Sequence, residues 1–118
     1  MDEFKKKYTV EQRLHESAKL LNKYHDRVPV LIKPGNKNTP EIDKFKYLVP
    51  NDLTVGEFVC IIRKRIKLGP EQAMFVFTNG VLPPTGSTMF SVYQDNSDED
   101  KFLYMIYSLE NTFGSSSY

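Results

Sequence analysis

The feature that most constrains the fold is a stretch near the end of the chain, residues 101–107, that is apolar at both alternating sets of positions. In a strand the two sets would face opposite sides: Phe102, Tyr104 and Ile106 on one, and Leu103, Met105 and Tyr107 on the other. A strand that is apolar on both faces belongs in the middle of a sheet covered on both sides. We therefore expect a central strand here.

The residues after this strand are small and polar, which is typical of a flexible terminal tail. Within them, Phe113 is an aromatic anchor beside Gly114, which has no side chain. Such a pair fits a narrow active site of another protein, although a plain frayed terminus has the same composition. Both interpretations stay open on the residues alone.

The length and charge of the chain exclude several classes of protein. With 118 residues and a net charge of +1, we predict a single domain without a bulk field for nucleic acid. The single cysteine, Cys60, permits no internal disulfide, and its aliphatic neighbours predict a small buried side chain. We also expect no membrane span or signal peptide, so the predicted location is the cytosol.

Patterning along the chain predicts one helix, two strands, a second helix and two further strands, with a short helix between the last two. Two capping boxes, at Thr9 and Thr54, mark the helix starts. A short arm precedes the first helix, and Asn79-Gly80 predicts a tight turn. The expected elements are a helix over 10–24, strands over 28–32 and 44–49, a helix from Val55 to the Gly69-Pro70 stop, a strand over 73–78, a short helix within 85–93 and the strand over 101–107.

This order matches a β-grasp, the arrangement of ubiquitin, and predicts an α+β fold with a mixed four-stranded sheet. The first helix can cover the sheet face that the second leaves open. The predicted boundaries are a helical extension over residues 1–25, a core over 26–108 and a tail over 109–118.

Catalytic and metal-binding patterns are weak. His15 and His25 have no partner at ligand spacing, and the acidic run 95–100 lacks the glycine of a calcium loop, so we predict no metal and no cofactor. The basic cluster 63–65 is typical of a solvated helix end or a protein-binding rim, with phosphate contact as the alternative. The strand over 44–49 reads as an edge whose lysines either favour an acidic peptide or simply prevent aggregation.

Several segments resemble the autophagy-related protein 8 family, which includes GABARAP and the microtubule-associated light-chain proteins. The resemblance covers residues 4–114 in one register. It is carried most clearly by residues 24–30, 42–58, 62–66, 82–85, 102–104 and 110–114.

The resemblance implies a ubiquitin-like modifier, not an enzyme, with two additional N-terminal helices. In the family, a cysteine protease cuts after the residue matching Gly114, which would here remove residues 115–118. Activating and conjugating enzymes then join that glycine to phosphatidylethanolamine, which places the protein on autophagosome or vacuole membranes. Phe113 would fill a partner's pocket, and Phe75 and Phe77 match aromatics that engage the processing machinery.

The resemblance also implies that cargo receptors and adaptors bind through aromatic-x-x-aliphatic motifs, by strand addition with two pockets. Arg27 and Arg65 would meet acidic groups of the ligand. The aromatic pocket would consist of Glu16, Leu20, Pro29, Leu31, Lys46, Leu48 and Phe102. The aliphatic pocket would consist of Tyr47, Val49, Pro50, Leu53, Phe58, Ile61 and Ile62.

The chain departs from the family pattern at His25, Phe45 and Leu109 and in the segment Tyr8-Thr9-Val10. Two alternatives remain beside conjugation. One is an unconjugated peptide-binding adaptor in trafficking or on microtubules. The other is a tubulin- or nucleic-acid-binding protein that uses the lysines of residues 5–7 and the cluster 63–67.

Overall fold

Four helices and four strands make up residues 2–109, the part of the chain that the computed structural model describes. The bounds of the elements, in chain order, are α1 Asp2–Lys7, α2 Val10–Lys23, β1 Arg27–Pro34, β2 Lys46–Pro50, α3 Val55–Arg65, β3 Phe75–Phe77, α4 Met89–Asn96 and β4 Leu103–Ser108.

The strands form one mixed sheet in the order β2-β1-β4-β3. The central strands β1 and β4 are parallel, with Val30 opposite Leu103, whereas β2 and β3 pair antiparallel with their neighbours. The predicted α+β class, the mixed four-stranded sheet and the central position of the last strand are therefore confirmed. The sheet leaves β2 and β3 as its two edges.

The two faces of the sheet are covered by different helices. The main core lies on the α3 side, where Leu103, Met105 and Tyr107 are fully buried against Phe58 and Ile62. Leu31 and Phe102 are buried on the opposite side, toward α2. Alternate residues of β4 thus supply both faces, as the sequence pattern predicts.

Helix starts follow the predicted capping residues. Thr9 and Thr54 both form complete capping boxes, each accepting from the backbone of the residue three positions on. Asn79 and Gly80 both have positive φ, 52° and 76°, in the tight turn that brings Thr78 opposite Val81. The predicted boxes and turn are confirmed.

Other local predictions are wrong. The residues alone predict an arm over 2–7, whereas the structure has the helix α1 there. This helix agrees with the two additional N-terminal helices that the family resemblance implies. β1 extends to Pro34, β2 starts at Lys46, and β3 spans only Phe75–Phe77. The helix α4 starts inside the predicted segment, at Met89 after its cap Thr88, but continues to Asn96, beyond the predicted end at residue 93.

Cys60 is exposed rather than buried, which corrects the prediction from its aliphatic neighbours. The buried positions of α3 are Val55, Phe58 and Ile62, which recur at helical spacing. Cys60 is two residues from Phe58, so it lies on the opposite side of the helix from that stripe.

A buried carboxylate joins α2 to the start of β4. Asp100 is fully buried and accepts from Arg13 Nη1 at 2.6 Å and from the Tyr104 hydroxyl at the same oxygen, Oδ2. Its other oxygen accepts from Phe102 N at 2.9 Å, and its backbone carbonyl accepts from Ser17 Oγ at 2.8 Å. Burial, together with the bond to Asp100, raises the pKa of Tyr104.

α1 is held against the same region by two residues. The Phe4 ring packs edge-on against Phe102, with centroids 5.4 Å apart. Lys5 Nζ lies 2.5 Å from Asp98 and 4.7 Å from the centre of the Tyr104 ring. The N-terminal helix therefore covers one end of β4.

We predict that Arg13→Met lowers the free energy of unfolding by about 3 kcal/mol, because Asp100 would remain buried without its cation. Urea unfolding measures the change. Lys5→Met is the matched control: it removes a cation from an exposed pair and is expected to cost less than about 1 kcal/mol. Equal losses of unfolding free energy in the two variants would contradict the larger contribution assigned to the buried pair.

Candidate functional site

The outer border of β2 is open in the described part of the chain, since β2 has a strand neighbour only on the β1 side. Ile32 N donates to Phe45 O at 2.9 Å, and Asn51 N donates to Asp26 O at 2.8 Å. Bonding residues alternate in an antiparallel ladder, so Lys46 and Leu48 direct their backbone groups away from β1. Such a border can accept an added strand.

The residues predicted for an aromatic pocket meet on the α2 side of this border. Lys46 lies opposite Leu31 in the sheet, and Leu48 lies opposite Pro29. The floor is closed, since Leu31 and Phe102 are only 1% and 0% exposed, and Pro29 is also buried. Glu16, Leu20, Lys46 and Leu48 are partly exposed and form a rim above that floor.

An ion pair crosses the rim. Lys46 Nζ lies 2.7 Å from Glu16 Oε2, and this hydrogen bond holds the pKa of Glu16 below its usual value. The same ammonium lies 5.9 Å from the centre of the Phe4 ring. Sequence reasoning missed Phe4, which contacts both Lys46 and Phe102. The available signal was its spacing of four residues from Tyr8, typical of one helix face.

The predicted aliphatic pocket lies on the opposite side of the sheet, between β2 and α3. Four of its residues belong to the core and have little exposed surface: Tyr47, Val49, Phe58 and Ile62. Leu53 and Pro50 are partly exposed, and Ile61 is 43% exposed. The accessible surface there comes from these last three residues.

The two predicted acid-binding arginines flank the border and already have acceptors. Arg27 Nη1 donates to the Leu48 carbonyl at 3.3 Å. Arg65 binds Asp43 with two bonds, Nε to Oδ1 at 2.9 Å and Nη2 to Oδ2 at 3.3 Å. The bond from Arg65 lowers the pKa of Asp43.

A cleft of about 1080 Å³ continues from the aromatic rim toward α1 and the loop after β1. Its walls include Glu16, Leu31 and Lys46 from the predicted pocket, together with Tyr8 and Phe45. Phe45 and Tyr8 are 50% and 38% exposed. Apolar surface is therefore available next to the start of β2.

Two of the predicted processing residues lie at the sheet edge opposite β2. Phe75 and Phe77 are on the edge strand β3, far along the sheet from β2, and only Phe75 is partly exposed. Phe113 and Gly114 lie outside the described residues.

Comparison with known proteins gives the family. The family described as "Autophagy protein Atg8 ubiquitin like" matches residues 12–114. This chain belongs to the Atg8 family. The resemblance drawn from its motifs is thereby confirmed.

Relatives and solved structures agree with the assignment to the Atg8 family. Autophagy-related protein 8A of Oryza sativa subsp. indica is 58% identical over 113 residues, covering 95% of each chain. Autophagy-related protein 8a of Arabidopsis thaliana is 56% identical over 113 residues, 95% of this chain and 93% of the other.

Two solved Atg8 structures share the fold. The crystal structure of Trypanosoma brucei ATG8 has a TM-score of 0.83 at 42% identity and covers 89% of this chain and 91% of its own. Plasmodium falciparum Atg8, in complex with a Plasmodium falciparum Atg3 peptide, has a TM-score of 0.83 at 38% identity and covers 91% and 95%. The predicted ubiquitin-like fold is confirmed.

Within residues 2–109, none of the helices has the length and the apolar run that a membrane-spanning helix needs. Within the same residues, no three His, Cys, Asp or Glu side chains form a group that could hold a metal ion.

We predict that Lys46→Met raises the pKa of Glu16 toward that of a free carboxyl, because its hydrogen-bonded cation is lost. A carbon-detected NMR titration of the Glu16 carboxyl measures both values. Since the paired pKa is lowered, the stabilisation is present above the usual carboxyl pKa and disappears as the pH falls through the lowered value. An unchanged titration in the variant would show that Lys46 does not hold Glu16 in solution.

Proposed function

We propose that this Atg8-family protein is a non-enzymatic ubiquitin-like modifier of autophagy. In this proposal it is cleaved after Gly114, joined to phosphatidylethanolamine, and recruits receptors and adaptors that carry aromatic-x-x-aliphatic motifs. The observation that carries the peptide-binding part is the open border of β2, which has partly exposed apolar side chains on both sides of the sheet.

The positions of the two surfaces fit the spacing of the motif. The aromatic rim lies beside Lys46 and Leu48, and the aliphatic surface lies beside Pro50 and Leu53. Residues three apart in a strand point to opposite faces, as these two surfaces do. Because the aromatic residue comes first in the motif, the bound peptide would run in the same direction as β2.

Strand addition would have to compete with Arg27. The Leu48 carbonyl points to the open side, where a bound peptide would donate to it, and Arg27 now occupies that acceptor. A ligand acid beside Arg27 would offer the guanidinium a stronger, charge-assisted bond and release the carbonyl. This exchange supports a preference for acidic motifs.

The conjugation part of the proposal rests on the family. The matched region extends to residue 114, so it includes Gly114. Since the Plasmodium falciparum neighbour is in complex with an Atg3 peptide, we propose a conjugating enzyme as partner of this chain too. A tail-processing cysteine protease and an activating enzyme complete the predicted route. Residues 109–118 would then serve as the tail, and the lipid would place the protein on autophagosome or vacuole membranes.

The alternative is an unconjugated adaptor in trafficking or on microtubules, which would use the same border without the tail. The other alternative, a tubulin- or nucleic-acid-binding protein, would use the basic cluster 63–67, whose arginines are partly engaged within the chain. Arg63 donates to Gln72 O at 2.6 Å and to Gly69 O at 2.9 Å, and Arg65 binds Asp43. These cations are less available to tubulin or phosphate, which counts against that second alternative.

We predict that Gly114→Ala blocks both tail removal and lipid attachment, because a methyl group would obstruct the narrow sites that handle this residue. The measurement is intact mass of the protein purified from autophagy-induced cells. Wild type is expected to lose residues 115–118 and gain the mass of a phospholipid.

Ser117→Ala is the matched control, since it changes the tail but not the proposed cleavage site. It should be processed like wild type. Normal conjugation of Gly114→Ala would overturn the assigned site. An unmodified wild-type protein in induced cells would favour the unconjugated adaptor.

We predict that the double variant Lys46→Ala/Leu48→Ala weakens aromatic-x-x-aliphatic peptides at least tenfold, or about 1.4 kcal/mol, because the rim of the aromatic pocket is removed. Isothermal titration calorimetry gives the affinities. Phe90→Ala is the control, since Phe90 is a comparably exposed apolar residue on α4. Unchanged affinity in the double variant would mean that such peptides dock elsewhere.

A further inference from the structure

Three cations along the proposed peptide border are already engaged by acceptors of this chain, and a fourth, Lys44, lies 4.9 Å from the centre of the Tyr47 ring. Arg27 donates to a neutral carbonyl, Lys46 pairs with Glu16, and Arg65 pairs with Asp43. Of the two carboxylates, Asp43 is the more exposed, with 71% of its side chain accessible, and it makes two bonds to one guanidinium. A ligand acid that reaches Arg65 must displace it.

The sheet geometry indicates which ligand residue reaches Arg65. The aliphatic residue of the motif would lie on the α3 side, near Leu53. The residue two positions earlier, directly after the aromatic one, faces the same side about 7 Å back along β2. That position is near Tyr47, whose ring lies 5.8 Å from the Phe58 ring of α3. Arg65 follows Phe58 by seven residues, two helical turns, and so lies on the same side of α3.

We propose that Asp43 is a resident competitor for Arg65 and sets how strongly the protein prefers ligands with an acidic side chain directly after the motif's aromatic residue. The inference rests on the proposed strand addition and deepens it. The carboxylate of Asp43 occupies the place that the ligand's carboxylate would take. The binding free energy gained from the new ion pair is therefore partly offset by the loss of the Asp43–Arg65 pair.

Asp43 is suited to this role because it is held ready for Arg65 at little cost to the fold. The residue lies three positions before Lys46, at the entrance to β2, and its two bonds to Arg65 orient the carboxylate there. In contrast to Asp100, it is exposed, so its pair with Arg65 adds little to stability. Asparagine keeps the size of the side chain while giving up its charge.

The test uses two fluorescein-labelled peptides that share one aromatic-x-x-aliphatic motif and differ only in Glu or Gln directly after the aromatic residue. Fluorescence anisotropy gives their affinities for the full-length protein. Asp43→Asn is expected to bind the Glu peptide about threefold tighter than wild type does, within the range measured for exposed ion pairs, and to bind the Gln peptide unchanged. Adding Arg65→Gln to Asp43→Asn should abolish the gain.

Asp95→Asn is the control for net charge, because it removes an exposed acid on α4. It should not distinguish the two peptides. The inference is overturned if Asp43→Asn tightens both peptides equally, if it has no more effect than Asp95→Asn, or if the gain survives Arg65→Gln. If the inference fails in one of these ways, binding of the Gln peptide by the wild-type protein would still support the proposed strand addition. Failure of both peptides to bind any variant would overturn the proposed motif binding as well.

Discussion

The structure depends on a central strand that is apolar on both faces. α3 covers one face of β4, and α1 and α2 cover part of the other, where Tyr104 and Ile106 remain partly exposed. The buried Asp100, bonded to Arg13 and Ser17, fixes α2 to the start of this strand. With β1 and β4 paired in the centre, β2 is left at the edge, and the candidate site follows from that position.

Features set by neighbouring residues could be predicted from the sequence. The alternation in residues 101–107, the threonine caps and the Asn79-Gly80 turn each encode their own geometry. The exposure of Cys60 does not follow from its aliphatic neighbours, because it depends on which side of α3 the residue occupies. The helix α1 is too short for its residues to predict it, since contacts such as that between Phe4 and Phe102 supply its stability.

The candidate site was less predictable than the fold. Family likeness named the two sets of pocket residues, but burial depends on the packing of distant segments. Phe102 and Leu31 are closed off, whereas Ile61 is open. The internal partners of the border cations, Glu16 and Asp43, are far from them in sequence and carry no local signal. A ligand acid that binds one of these cations must nonetheless displace its internal carboxylate partner.

The brevity of β2 has a kinetic consequence. The strand has only five residues, and its last, Pro50, has no N–H to offer. An added peptide would therefore gain few main-chain bonds, so the barrier to its departure would come mainly from the side chains it inserts. Complexes of this kind are expected to have short lifetimes, and a protein concentrated on a surface could then pass from one receptor to the next without being trapped by any.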